Sequence, residues 1–142
     1  MRKLFLVCIA FGLLAVAGLG LFQLSVAEES SQAGANPEMS VERLLSAQLE
    51  GAEGFDVIVS RVTLPPNASL PRHWHPGEEF AYVLEGSSIL RRDGMADQTA
   101  SQGDVVHIPM QQVHTAVTTD EGATILVFRI HEHGKPERVL VE

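Results

Sequence analysis

From residue 41 onward, apolar and polar positions alternate in short runs, the period that half-buried β-strands require. Such runs cover residues 55–64, 70–75, 79–84, 87–92, 104–108, 113–118, 123–130 and 138–141. Turn signals separate most of them: Pro65-Pro66-Asn67, Pro76-Gly77, Asp93-Gly94, Gln102-Gly103, Asp120-Glu121-Gly122 and Gly134-Lys135-Pro136. Asp93-Gly94 is the strongest hairpin signal, because both residues tolerate the positive φ of a tight turn. Only residues 41–49, with apolar Val41, Leu44, Leu45 and Leu49, have a spacing that suits a helix, and a β-strand is the alternative. Many short strands at this spacing predict an all-β sandwich or barrel.

One run bears on assembly. Phe80, Tyr82 and Leu84 alternate with Ala81 and Val83, so both faces of that strand are apolar and both need cover. The N-terminal segment or a second sheet would cover the second face, and so would a partner subunit. A homodimer is the expectation.

The N-terminus has a different pattern. Arg2 and Lys3 precede an uncharged apolar run from Leu4 to Leu21, and Ser25-Val26-Ala27 offers the small residues of a cleavage site before Glu28. Residues 1–27 are therefore expected to be a signal peptide. An uncleaved membrane anchor is the alternative, since the run is about long enough to span a bilayer. In either case the rest of the chain is exported, to the periplasm or beyond. Residues 28–40 are polar, with Ser, Gly, Asn and Pro, and read as a flexible linker. Residues 41–142 form the domain.

Composition then narrows the chemistry. The chain has 142 residues, with 10 Lys+Arg against 18 Asp+Glu and a net charge of −8. No basic cluster exists to hold nucleic acid, and membrane contact is expected only through the N-terminal segment if it stays uncleaved. Cys8 is the only cysteine and lies in the leader, so the exported chain has neither disulfides nor a thiol nucleophile.

Histidine is where the chemistry concentrates. His73 and His75 are two residues apart, which on a strand places both imidazoles on one face. Pro76-Gly77 turns the chain and Glu79 opens the next strand, within reach of the same point. His114 follows a Pro109-led turn and could complete the set from a distant strand. Three neutral imidazoles and a carboxylate are the donors a divalent first-row metal ion takes. They leave positions open for a small substrate or dioxygen, and a site charge of about +1 that favours an anionic ligand.

These residues resemble the two motifs of the cupin superfamily. His73, His75, Glu79 and Gly86 match the first motif, and Gly103, Pro109 and His114 match the second. The resemblance is to a small, single-domain type-2 cupin carrying an export signal. It implies a double-stranded β-helix, the jelly-roll cupin barrel, with a metal bound by His73, His75, Glu79 and His114. Three positions depart from the pattern. Asn67 replaces the opening glycine, and Asn accepts left-handed backbone. Gln111 replaces the glycine after Pro109, where a positive φ costs about 1 kcal/mol, so that turn is expected to differ in shape. Thr118 stands where Asn is usual.

The expected cofactor is one divalent transition-metal ion, with iron, manganese, copper, nickel and zinc all compatible. The function that follows is a metal-dependent small-molecule enzyme, dioxygenase-like or isomerase-like, with Glu79 as catalytic ligand and proton acceptor. The alternative is a non-catalytic module that binds metal or a small ligand, because the chain offers no clear further acid or base. Other residues near the motifs have plainer readings. Glu78 and Trp74 should point away from the ligands, and His107 should be packed or half-exposed. His131 and His133 should belong to a solvated chain end, and Arg72 and Arg129 to surface ion pairs.

Overall fold

The strand expected over residues 55–64 is realised with the same bounds. In the computed structural model, which describes residues 38–142, Phe55–Leu64 is the second of nine strands among the described residues. The strands are β1 (Ser40–Gln48), β2 (Phe55–Leu64), β3 (His73–Trp74), β4 (Gly77–Arg92), β5 (Gln98–Ser101), β6 (Val105–Ile108), β7 (His114–Val117), β8 (Ala123–Glu132) and β9 (Val139–Leu140). The expected leader and most of the linker lie outside the described residues.

Pairing is antiparallel throughout, in the order β1-β2-β8-β4-β7-β3-β9, with β5 and β6 also on β4. The first half of β4 pairs with β8 and β6, and its second half with β7 and β5. One strand thus serves two sheets and curls them into the double-stranded β-helix. The apolar runs 79–84 and 87–92 are therefore one bent strand. The register shifts between Val83 and Glu85, and Gly86 follows at φ 72°. A Cβ on Gly86 would lie 2.2 Å from the Gly122 carbonyl oxygen, so only glycine lets the corner close.

Residues 41–49 are a strand and not a helix. β1 pairs with β2, and its register shifts between Arg43 and Leu45. That bulge reverses the facing of the side chains. Val41 opposes Val62 and lines the interior, whereas Leu45 opposes Val59 on the outer face, so two strand faces imitate helical spacing. The run at 70–75 shortens to His73–Trp74 because Pro71 and Pro76 cannot donate to a ladder. β5 has no sequence signal, since Ala100 is its single apolar residue.

The interior has two clusters. Val62, Leu64, Ala123, Ile125 and Val127 form one, and Val83, Leu90, Ala100, Val106 and Ile108 the other, with Ala81 packed against both. The motif departures are absorbed locally. Asn67 and Gln111 adopt the left-handed conformation at φ 56° and 62°. The Gln111 turn therefore keeps the backbone conformation that glycine would give it, contrary to the expected change of shape. Its N–H donates to the His75 carbonyl at 3.0 Å, which offsets the cost. Thr118 Oγ1 accepts from Ala68 N–H at 2.9 Å and donates to the Pro65 carbonyl at 2.6 Å, clamping the loop that precedes β3.

Candidate metal centre

Two segments deliver the histidines, β3 with the residue that follows it and β7. His73 on β3 is the direct cross-strand partner of His114 on β7, so their side chains share a row. His75 follows two residues after His73, on the same face. All three are buried, and one ring nitrogen from each lies within 4.8 Å of the others. Ring centroids are 4.4 Å apart for His73 and His114, 4.8 Å for His73 and His75, and 5.3 Å for His75 and His114.

Each ring is oriented from behind by a backbone carbonyl. Nδ1 of His73 donates to Pro71 at 2.7 Å, Nδ1 of His75 to Glu137 at 2.5 Å, and Nδ1 of His114 to Gln112 at 2.9 Å. A carbonyl can only accept, so Nδ1 carries the hydrogen in all three and Nε2 keeps its lone pair. Metal-binding histidines are held in this way, with the second ring nitrogen fixed by a hydrogen bond. Burial lowers the His73 pKa to about 4 and lowers that of His114, the carbonyl bonds working against it in both. Both rings are therefore neutral and ready to coordinate at neutral pH.

Glu79 adjoins this group through His75. It faces inward from β4, 8% exposed, with Oε2 3.0 Å from His75 Nε2. That nitrogen is buried and has no hydrogen-bond donor of its own to offer while Nδ1 holds the proton. A lone pair thus faces a carboxylate oxygen. Two acceptors at this distance are satisfied only by positive charge between them, either a second proton on His75 or a metal ion. Burial alone would raise the Glu79 pKa, but positive charge held between it and His75, together with the Arg129 guanidinium, outweighs burial and holds the carboxyl below its ordinary value. The donor set and its tautomers fit a divalent transition metal, with three imidazoles fixed for coordination and an ionised carboxylate beside them.

The remaining residues divide between the interior and the outer face. Arg129 is buried rather than on the surface, because β8 alternates and places it inside with Ile125 and Val127. Its Nε lies 3.5 Å from Glu79 Oε2, and its Nη1 lies 3.4 Å from Glu137 Oε2. His131 is also buried, 2% exposed, with Nε2 against the Lys135 carbonyl at 2.9 Å, so it does not belong to a solvated chain end. The same alternation that buries Arg129 buries it. His133 is exposed and pairs with Asp56. His107 is half-exposed, stacks on Phe80 and lies 3.5 Å from Glu78, on the outer face. Arg72 pairs with Asp93 at the surface. Trp74 is half-buried and pairs across to Val139.

Glu137 is the site residue that sequence reasoning missed. Its carbonyl orients His75, and its carboxylate bridges Arg129 and Arg43. A backbone carbonyl leaves no trace in residue type, so no motif marks it. Arg129 did have a signal, its parity with Ile125 and Val127.

Residues 60–129 match the family model described as the cupin domain. Among solved structures, the chain is similar to a Cupin 2 conserved barrel domain protein from Salinispora arenicola, with 27% identity over 64% of this chain and 74% of that one and a TM-score of 0.52. It is similar to a cupin-like protein from Thermotoga maritima, with 21% identity, 72% and 75% coverage and a TM-score of 0.60. It is also similar to the DMSP lyase DddQ from Ruegeria pomeroyi, with 24% identity and a TM-score of 0.59. That match covers 79% of this chain but spans only 57% of the lyase. No curated protein matches the chain. The family match and the structural neighbours together support placement in the cupin superfamily.

The buried imidazoles set a pH dependence. Unfolded histidine titrates near 6.5, whereas His73 in the folded chain titrates at about 4. Between these values the unfolded chain binds more protons, so stability falls as pH falls. Denaturant titrations of the metal-free protein are expected to show full stability above about pH 6.5 and a progressive loss towards pH 4. A flat or rising profile would contradict the buried neutral assignment.

Proposed function

We propose that this protein is an exported metalloenzyme of small-molecule chemistry. In this reading one divalent transition-metal ion is held by His73, His75, His114 and Glu79, and the chemistry is dioxygenase-like or isomerase-like. The observation that carries it is the Nε2 lone pair of His75 facing the Glu79 carboxylate at 3.0 Å, beside two more imidazoles in the same tautomer. When bound, such an ion supplies Lewis-acid polarisation of a substrate oxygen.

The chain's own groups do the rest. The three carbonyl bonds keep the imidazoles from turning. Glu79, ionised and buried, can accept a proton at a carboxylate oxygen. Arg129 beside it stabilises the negative charge of Glu79 and of whatever binds next to it. The β-strands that line the cavity surround the site with apolar side chains. The convergence of Arg129 and Glu79 on the histidines favours an enzyme over a module that only binds.

The test is metal content in protein from its native compartment, followed by oxygen uptake and product formation with catechols, flavonols and β-diketones. One ion per chain and turnover of a panel member are expected. Loss of a partner behind a ligand already weakens metal binding by about 10–100-fold. His114→Ala removes a ligand itself, so it is expected to weaken binding more than that and to abolish turnover. A fully loaded protein inert across the panel would instead favour the non-catalytic binding module.

The same reading takes the protein to be a homodimer. Tyr82, Leu84, Phe128 and Ile130 are exposed on the outer face, and Phe80 stacks there on His107. Sedimentation is expected to give a dimer for the wild type and a monomer for Phe128→Glu, and a monomeric wild type would contradict the assignment.

A further inference from the structure

The cavity that the histidines face extends beyond their site. Its volume is ≈ 270 Å³, just below the roughly 300–1,000 Å³ usual for ligand pockets. Its character changes along its length. The facing pairs of β4 and β8 run Glu79 with Arg129, then Ala81 with Val127, then Val83 with Ile125. Charge thus occupies one end and hydrocarbon the rest. Ala81 and Ala116 both line the cavity, and larger apolar residues at those positions would fill it. Packed interiors leave few voids larger than a water molecule, so a space of this size is a feature of the site and not of the core.

Arg129 stands at the charged end with its donors under-used. Its side chain is 7% exposed, and its Nε is buried without a hydrogen-bond partner. Its Nη1 reaches Glu137 only at 3.4 and 3.5 Å. Charge-assisted bonds between a guanidinium and a carboxylate are typically about 2.7–2.9 Å long. Neither Glu79 nor Glu137 is that close, so the fork is placed between two carboxylates and engaged fully by neither. Burial lowers the Arg129 pKa, with the Glu79 charge opposing, and arginine stays protonated in proteins regardless.

We propose that Arg129 receives the carboxylate of a small monoanion whose short hydrocarbon body lies against Ala81, Ala116 and Val127. A planar guanidinium matches a carboxylate in two parallel bonds. A dianion such as phosphate would direct its second charge at Glu79 and Glu137. A polar body would lose its hydrogen bonds to water and find only Ser88 to replace them among the cavity hydroxyls of the described residues. That this monoanion is the substrate rests on the proposed metalloenzyme reading. Its binding does not.

The test is calorimetric titration of the purified protein, metal-free and zinc-loaded, with benzoate and hexanoate against benzamide and hexanamide. At least tenfold tighter binding of the acids is expected in one or both states. Arg129→Gln is expected to abolish that preference and leave amide binding unchanged, while Arg129→Lys retains part of it. Ala116→Leu is expected to raise the melting temperature and exclude benzoate. Cobalt(II) absorption of each variant reports the metal site separately. Acid preference that depends on Arg129 in a protein that takes up no cobalt would uphold this inference and defeat the metal reading. Acid preference that survives in Arg129→Gln, equal binding of acids and amides, or no binding of any probe would overturn the inference and leave the metal reading standing on its cobalt spectrum.

Discussion

The site depends on three hydrogen bonds that run away from it. Each imidazole donates its Nδ1 hydrogen to a backbone carbonyl, of Pro71, Glu137 or Gln112. Those bonds fix ring rotation and tautomer together, so three lone pairs face one cavity, and that of His75 is buried there without a hydrogen-bond partner. The arrangement is costly without a cation, because a buried acceptor facing an acceptor loses the full benefit of solvation. The carbonyls belong to the loop before β3, the turn before β7 and the segment between β8 and β9, so three connections of the barrel hold the geometry.

A chain of alternating charges extends from that point. Glu79 lies beside Arg129, Arg129 beside Glu137, and Glu137 pairs with Arg43 on β1. Each buried charge therefore has an opposite charge for a neighbour, which is the condition for keeping ions in a low-dielectric interior. The chain also ties three parts of the fold to the metal centre: the first strand, the inner face of β8 and the segment after β8. A cation on the histidines would take up the Glu79 charge and leave Arg129 more positive towards the cavity.

Much of this was legible in the sequence because strand geometry repeats every two residues. The spacing of His73 and His75 fixes a shared face, and the alternation through Phe55–Leu64 and the strand that follows Gly122 fixes inside and outside. The same rule, applied one step further, would have placed Arg129 and His131 inside. What could not be read has a physical cause in each case. The bulge at Arg43–Leu45 shifts the phase of β1, so its apolar residues fall at helical intervals. β5 buries one alanine and has no pattern to detect. Gln111 takes a conformation its side chain disfavours because the turn it closes is anchored to the His75 carbonyl. Glu137 orients His75 through an atom that every residue possesses.

The most direct measurement is an anomalous-scattering map of crystals grown with zinc. A single strong peak is expected, bonded to Nε2 of His73, His75 and His114 and to the carboxylate of Glu79, with all three Nδ1 atoms still on their carbonyls. An imidazole turned to present Nδ1 to the ion, or saturating zinc with no peak among these side chains, would contradict the assignment of the centre.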